Sequence, residues 1–369
     1  MTPYLSDRYA NASGSHHLAR QARQAVEEAR DEVAHLLGAR PGEIIFTGSG
    51  TEADNLAIFG TLAARSAAGQ PGGTVVCSAV EHAAVGEACR AAVRRSAAGG
   101  SPLRLVEAPV ERDGTVDLAA LEVLCDDQVV LVSVMLANNE IGTIQPLGEI
   151  GELRERRAPR ALLHTDAVQA VPWLDVASIT AVADLVTMSA HKLGGPKGVG
   201  VLVARDNVAL EPIIVGGGQE RDRRSGTIDV AGIVGTAVAL RVTTAERTET
   251  ARRVTDLRDR FADAVLSGLD GVTPSAPWHK VLPGHCHLRF EGVEQEELLM
   301  LLDDAGICAS AGAACASGAV EPSHVLAAMG VVDADARSGI RFTLGRTTTD
   351  DEVAAAVAAT VAAVSRLRR

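Results

Sequence analysis

The chain has 369 residues, 47% hydrophobic and 22% charged, a balance ordinary for a globular protein of two domains, or of one large domain and a smaller one. A net charge of -12, no basic run and only two Trp, two Tyr and five Phe leave nothing to neutralise phosphates or stack bases, which argues against nucleic-acid binding. No apolar run reaches the roughly 18 residues of a membrane span, and MTPYLSDRYANASG has neither the basic start nor the apolar core of a signal peptide, so the expected compartment is the cytoplasm.

In chain order, HHLARQARQAVEEARDEVAHLLG (16–38) has helical spacing and closes on Gly38. EIIFT (43–47) reads as a short buried strand, and GSGTEADNLAIFG as a Gly-rich turn opening into a helix. Further strands are expected at 74–82, 103–110, 129–140 and 161–170, in ADLVTMSAHK and in GVGVLVAR, with helices at 83–97, at 117–125 and in LGEIGELRERR. Nearly all-apolar strands alternating with helices indicate an α/β fold with a parallel sheet covered on both faces. After about residue 228 the pattern changes to α+β, as expected of a second, smaller domain. It comprises a helix over 230–268, a strand in HCHLRFEG, a helix in QEELLMLLDDAG, a Gly/Ala/Ser loop, a helix, a strand in GIRFTLG and a last helix.

Among 35 Lys+Arg only three are lysine: Lys192 and Lys197, both in SAHKLGGPKGVG, and Lys280. Arginine serves wherever a solvated cation suffices, but it cannot supply a deprotonated amine for a Schiff base. The stretch alone leaves a plain turn equally open. GSGTEA (48–53) offers backbone N–H groups and a helix dipole to an anion. It also matches the dinucleotide pattern G-x-G-x-x-A, with Glu81 as a ribose partner at wider spacing, and a turn without function fits as well. Asp166, ending ALLHTD, can hold a protonated pyridine nitrogen or cap a helix, and Gln169 follows three residues later. His82 can stack on an aromatic cofactor, shuttle protons, or simply end a strand. Asn138 and Asn139 are donors or turn formers.

The six cysteines (77, 89, 125, 286, 308, 315) lack CxxC spacing and read as reduced and individually placed. Cys315 lies in GICASAGAACASGAVEP, a pliable loop that suits an exposed nucleophilic thiol or a small core hydrophobe. Cys308, in an expected strand before it, reads as buried. HCH (285–287) puts two imidazoles on one face of a strand, but no third ligand stands at useful spacing; the expectation is a surface strand and no metal. A Schiff-base lysine, a phosphate cup and a pyridinium carboxylate, all at strand ends, are together what pyridoxal phosphate (PLP) requires.

These residues resemble the cysteine desulfurases of the NifS/IscS group, within the class V aminotransferase-like, fold-type I PLP enzymes. The resemblance runs from about Tyr9 to Arg346 through GSGTEADNLAI, SAVEHAAV, ANNEIGTIQP, HTDAVQA, SAHKLGGPKGVG, GGGQERDRRSGT, AGAACASG, EPSHVLAAMG and IRFTLGR. It implies a large domain (1–240) with a mostly parallel seven-stranded sheet flanked by helices, and a small α+β domain (241–369) carrying the cysteine loop. Residues 1–13 would pack on the small domain. It implies that Lys192 holds PLP as a Schiff base and that Gly50, Thr51, Ser189 and His191 hold its phosphate. Thr227 would reach the phosphate of a neighbouring subunit, which makes a homodimer. Asp166 would meet the ring nitrogen, Gln169 and Asn139 the ring-oxygen side, and His82 the ring face. Asn139 and Arg341 would contact the substrate, Arg341 at its carboxylate. Cys315 would take sulfur from L-cysteine as a persulfide, leaving L-alanine, and its loop resembles the mobile-loop subgroup. The acceptor would be an iron–sulfur scaffold, a tRNA-thiolation protein or a sulfur carrier. A selenocysteine lyase or C–S lyase of the same fold is the alternative. The family begins with a segment like YLDNAATTP some two dozen residues before PYL (3–5). A real loss of it implies weaker substrate binding or a weakened enzyme, and a misassigned start gives the same sequence.

Overall fold

The computed structural model describes residues 1–97, 102–312 and 323–369. Seven strands form the large sheet: β1 (Ile44–Thr47), β2 (Gly73–Ser78), β3 (Leu103–Ala108), β4 (Val129–Ser133), β5 (Leu162–Asp166), β6 (Leu185–Ser189) and β7 (Gly200–Ala204). Their order is β1-β7-β6-β5-β4-β2-β3. The pairs from β3 through β6 are parallel, and β7 runs antiparallel to both neighbours. β4, β6 and β7 are buried along their whole length, as their apolar sequences require of a sheet covered on both faces. One apolar layer joins the sheet to His17–Leu36, Leu147–Arg157 and the start of Val230–Gly268; the other joins it to 50–67 and Ala83–Ser96. Each fully buried Ile or Leu in these layers contributes on the order of 1.5–3 kcal/mol.

The helix His17–Leu36 forms because Ala19, Ala22, Val26, Ala29 and Val33 recur at i+3 and i+4 spacing and are all buried. His16 Nδ1 accepts the Ala19 N–H at 3.2 Å as its cap. Its small side chains let it approach the long helix Val230–Gly268 closely. That 39-residue helix spans roughly 58 Å at 1.5 Å per residue. Val230, Ile233, Ala237 and Leu240 belong to the large core; Val254, Leu257, Phe261 and Val265 belong to the small one. The boundary expected at 240/241 falls inside this continuous helix, just past its last large-core residue. Met1 lies against Gly235, Tyr4 packs on the large core and Ala12 is part of it. The first residues thus pack on the large core and the start of the long helix, not on the small domain as expected.

The small sheet is antiparallel, in the order β10-β9-β8: β8 (Val272–Pro274), β9 (His285–Phe290) and β10 (Gly339–Thr343). Gln295–Asp304 and Asp350–Leu367 cover it together with the end of the long helix. Among the described residues no helix is long and apolar enough to cross a membrane.

Two sequence expectations are corrected here. HCH is no surface strand: His285, Cys286 and His287 are all buried, since β9 is the central strand and is covered on both faces. Cys308 is exposed and outside any strand, because the chain leaves the helix at Gly306 without pairing until Ser310 meets Arg341.

Burial holds both His285 and His287 at about 3, below the usual imidazole range, helped by the cation of Arg341. A histidine whose folded value lies below its unfolded one stabilises the fold above the unfolded value of about 6.5, and this contribution is lost as pH falls toward the folded value. In H285Q/H287Q this acid loss should vanish. The stability gap should move in the variant's favour by about 1.4 kcal/mol per pH unit per histidine between pH 6 and 4, read from urea unfolding. Parallel curves for the two proteins would refute the assignment.

Candidate functional site

The polar side chains collect where the parallel strands end, the ligand edge of an open α/β sheet. Behind β1, Ser49 Oγ accepts the Glu52 N–H at 3.1 Å, so GSGTEA turns into a helix whose first N–H groups face this edge. Gly50 is buried, and a Cβ there would come within 3.2 Å of the Ser189 Cβ. Thr51 is exposed on the same turn. Ser189 ends β6, and its Oγ lies 2.8 Å from His191 Nδ1. Gly50, Ser189 and His191 are therefore neighbours at this edge, with Thr51 next to Gly50 on the turn.

Lys192 is exposed in the short 3-10 turn Ala190–Leu193, which Gly194 ends at φ 79, a left-handed conformation suited to glycine. Near it a cavity of about 240 Å³ is lined by Trp173, Thr243 and Arg346. Lys280, by contrast, forms an ion pair at 2.6 Å with Asp113 between the domains.

Asp166 is 6% exposed at the end of β5, and its Oδ1 accepts the Val168 N–H at 2.8 Å. Burial raises its carboxyl above the usual range, while the Val168 hydrogen bond and the charges of His82 and Lys192 pull it back. Polar atoms of Asp54, His82 and Asp166 all lie within 4.8 Å of one another. His82 caps Ala83–Ser96, with Nδ1 accepting the Ala84 N–H at 3.2 Å, so a neutral ring carries its proton on Nε2. Gln169 is half-buried beyond Asp166, and Thr227 is exposed in the segment after β7.

Asn138 and Asn139 divide their roles. Asn138 is a turn former: its Oδ1 accepts the N–H groups of Glu140 (2.8 Å) and Ile141 (3.0 Å). Asn139 is half-buried and faces the small domain, where Arg341 Nη1 on β10 donates to its carbonyl at 2.6 Å. Cys315 lies outside the described residues. Beside that stretch, Gly312 packs against the Glu140 carboxylate, and Ser323 Oγ donates to Glu140 Oε2 at 2.5 Å. Gly312 and Glu140 border a cavity of about 390 Å³ that His82 and Asn139 also line.

Three acidic or imidazole side chains here went unread in the sequence: Asp54, Glu140 and His164. Only His164 carried a signal, since its place two residues before Asp166 on a strand puts both on one face. Glu81, weighed above as a ribose partner, is buried, and its Oε1 accepts the Met135 N–H at 2.5 Å. It is a strap between strand ends, which removes the acidic partner that a dinucleotide would need.

A profile of the family described as Aminotransferase class-V matches residues 1–355. The chain is 43% identical over 363 residues to an IscS-like cysteine desulfurase of Mycobacterium tuberculosis, covering 97% of this chain and 90% of that one. It is 39% identical over 353 residues to the cysteine desulfurase IscS of Dictyoglomus turgidum, covering 96% and 87%. A solved structure titled NifS-like protein superposes with a TM-score of 0.90 at 33% identity, covering 99% of this chain and 94% of the other.

Proposed function

Because the chain belongs to the class-V aminotransferase family and works as a cysteine desulfurase, we propose that Lys192, Asp166, His82, Arg341 and Cys315 carry that reaction around a bound PLP. The residues present suit this cofactor. Asp166 is a buried carboxyl with the ring of His82 and the charge of Lys192 near it, and a Cβ at Gly50 would crowd Ser189, whose hydroxyl meets His191. Gly50, Thr51, Ser189 and His191 would hold the phosphate, Asp166 the ring nitrogen, Gln169 and Asn139 the ring-oxygen side, and His82 the ring face. When bound, PLP supplies an electron sink next to the substrate's amino group.

The chain's own part then follows. Arg341, already reaching Asn139 across the domain boundary, holds the carboxylate of L-cysteine. Lys192 Nζ would hold the cofactor's aldehyde and, as a base, would move the substrate's α proton. The Cys315 thiolate attacks the substrate sulfur. A sulfur–sulfur bond forms, the substrate's carbon–sulfur bond breaks, and the carbon keeps the electron pair and is protonated, so L-alanine leaves. The persulfide passes to an acceptor protein, an iron–sulfur scaffold, a tRNA-thiolation protein or a sulfur carrier. The exposure of Thr227 suits a homodimer in which it meets the phosphate of a second copy. The free thiols of Cys77, Cys89, Cys125, Cys286 and Cys308 suit a reducing cytoplasm.

The observation that carries the reading is the convergence of Asp166, His82 and Lys192 at one sheet edge beside the Gly50 turn. Mass spectrometry of the protein after L-cysteine treatment should find one added sulfur on the peptide holding Cys315. If C315A releases sulfide from cysteine at the unaltered rate, the protein is a C–S lyase instead.

A further inference from the structure

Directly behind Asp166 lies a second buried carboxyl that the reaction above does not use. Asp54, on the helix opened by the Gly-rich turn, is 1% exposed, and its Oδ1 accepts no hydrogen bond among the described residues. That oxygen lies 3.6 Å from His164 Nε2. His164 is 0% exposed and stands on β5 two residues before Asp166, on the same face. Its Nδ1 is 2.8 Å from Ser133 Oγ on β4, and its Nε2 is 3.3 Å from Thr187 Oγ1 on β6. Three adjacent strands thus carry a continuous polar row, Ser133–His164–Thr187, under the two aspartates.

Two carboxylates this close in a dry interior cannot both ionise cheaply. The choice between them is set by their neighbours. Asp166 has the positive charge of Lys192 and the ring of His82 near it; Asp54 faces Asp166, the Thr187 hydroxyl, Glu81 and the neutral ring of His164. We propose that Asp54 is a positioning residue for Asp166: it holds the proton of the pair and donates it into the His164–Thr187 row, leaving the single negative charge on Asp166. Burial, then the charge of Asp166, raises Asp54 well above the usual carboxylate range, and burial keeps His164 at about 3, so neither competes for that charge. The inference rests on the reading of Asp166 as the partner of the cofactor's ring nitrogen.

Three variants test it through cofactor affinity, measured by titrating PLP into the apoprotein, and through infrared absorption. D54N keeps an N–H donor and no charge, so it should bind PLP within about twofold of wild type. D54L, of similar size but without a donor, should bind about tenfold more weakly. The protonated-carboxyl stretch of Asp54 should be present in the wild-type protein at neutral pH and absent from D54N. Binding by D54N as weak as that of D54L would mean that a charged Asp54 is needed, and this overturns the proposal. So would a D54L protein that binds as wild type does, or a wild-type spectrum lacking the band that D54N removes. Should D54L fail to fold, D54N and the infrared band still decide. D166N separates the two readings: if it binds PLP as tightly as wild type, the cofactor reading itself has failed.

Discussion

Replacing Lys192 by alanine should abolish attachment of the cofactor and lower desulfurase turnover by about 10²–10⁴-fold through the lost proton transfer alone. The measurements are borohydride trapping of the loaded protein followed by peptide mapping, and alanine production from L-cysteine. K192R should not rescue either one, although it restores the positive charge. A guanidinium stays protonated and cannot attack an aldehyde, whereas an amine can lose its proton. Lys192 also contributes to the charge balance at Asp166, so its removal should weaken PLP binding even apart from the covalent link. If borohydride labels another residue in the wild-type protein, or K192A turns over at the normal rate, the proposed roles at this sheet edge fall.

The second large effect is on stability. Arg30, 4% exposed on His17–Leu36, forms a two-pronged pair with Glu220 at 2.8 and 2.7 Å. Glu220 Oε2 also accepts the Phe46 N–H at 2.9 Å, and Arg30 Nη1 donates to the Ile44 carbonyl at 3.0 Å. The pair therefore ties the segment after β7 to β1 and the first long helix. That segment needs fastening: Glu220, Arg221 and Asp222 all have positive φ (49°, 59° and 63°), each a strained conformation for a side-chain-bearing residue. R30M leaves Glu220 buried without its cation and should cost about 3–5 kcal/mol, seen as a lower urea midpoint with unchanged slope. R30M/E220Q removes the stranded charge and should recover part of the loss. A cost below about 1 kcal/mol for R30M would show that the segment is held by something else. Since the same segment carries Thr227 and the Arg224–Glu52 pair at 2.7 Å beside the Gly-rich turn, R30M should also weaken PLP binding.

Much of the architecture was legible before any coordinates. The long helix was expected over 230–268 and is found there, because Asp229 caps its start and no proline or glycine interrupts 236–267. Strand lengths were overstated. The run 129–140 is apolar almost throughout, but β4 stops at Ser133, since a buried connection and a buried strand have the same composition. The reversed direction of β7 had no signature at all, because apolar runs carry no polarity.

What the amino-acid order determined by itself was local: helix spacing, caps, the Gly-rich turns, and motifs whose residues lie within a few positions of each other, such as Ser189, His191 and Lys192. Only the tertiary structure decided which distant groups share a dry space. Asp54 reads as an ordinary polar residue in a helix until β5 brings Asp166 and His164 beneath it, 100 or more positions away. Arg30 and Glu220 are 190 positions apart. His285 and His287 alternate like surface residues, and became core when β9 took the centre of its sheet. The physical reason is the same in each case. Propensity and periodicity act over a turn or a strand, whereas the energy of a buried charge is set by whatever folding places within a few ångströms of it.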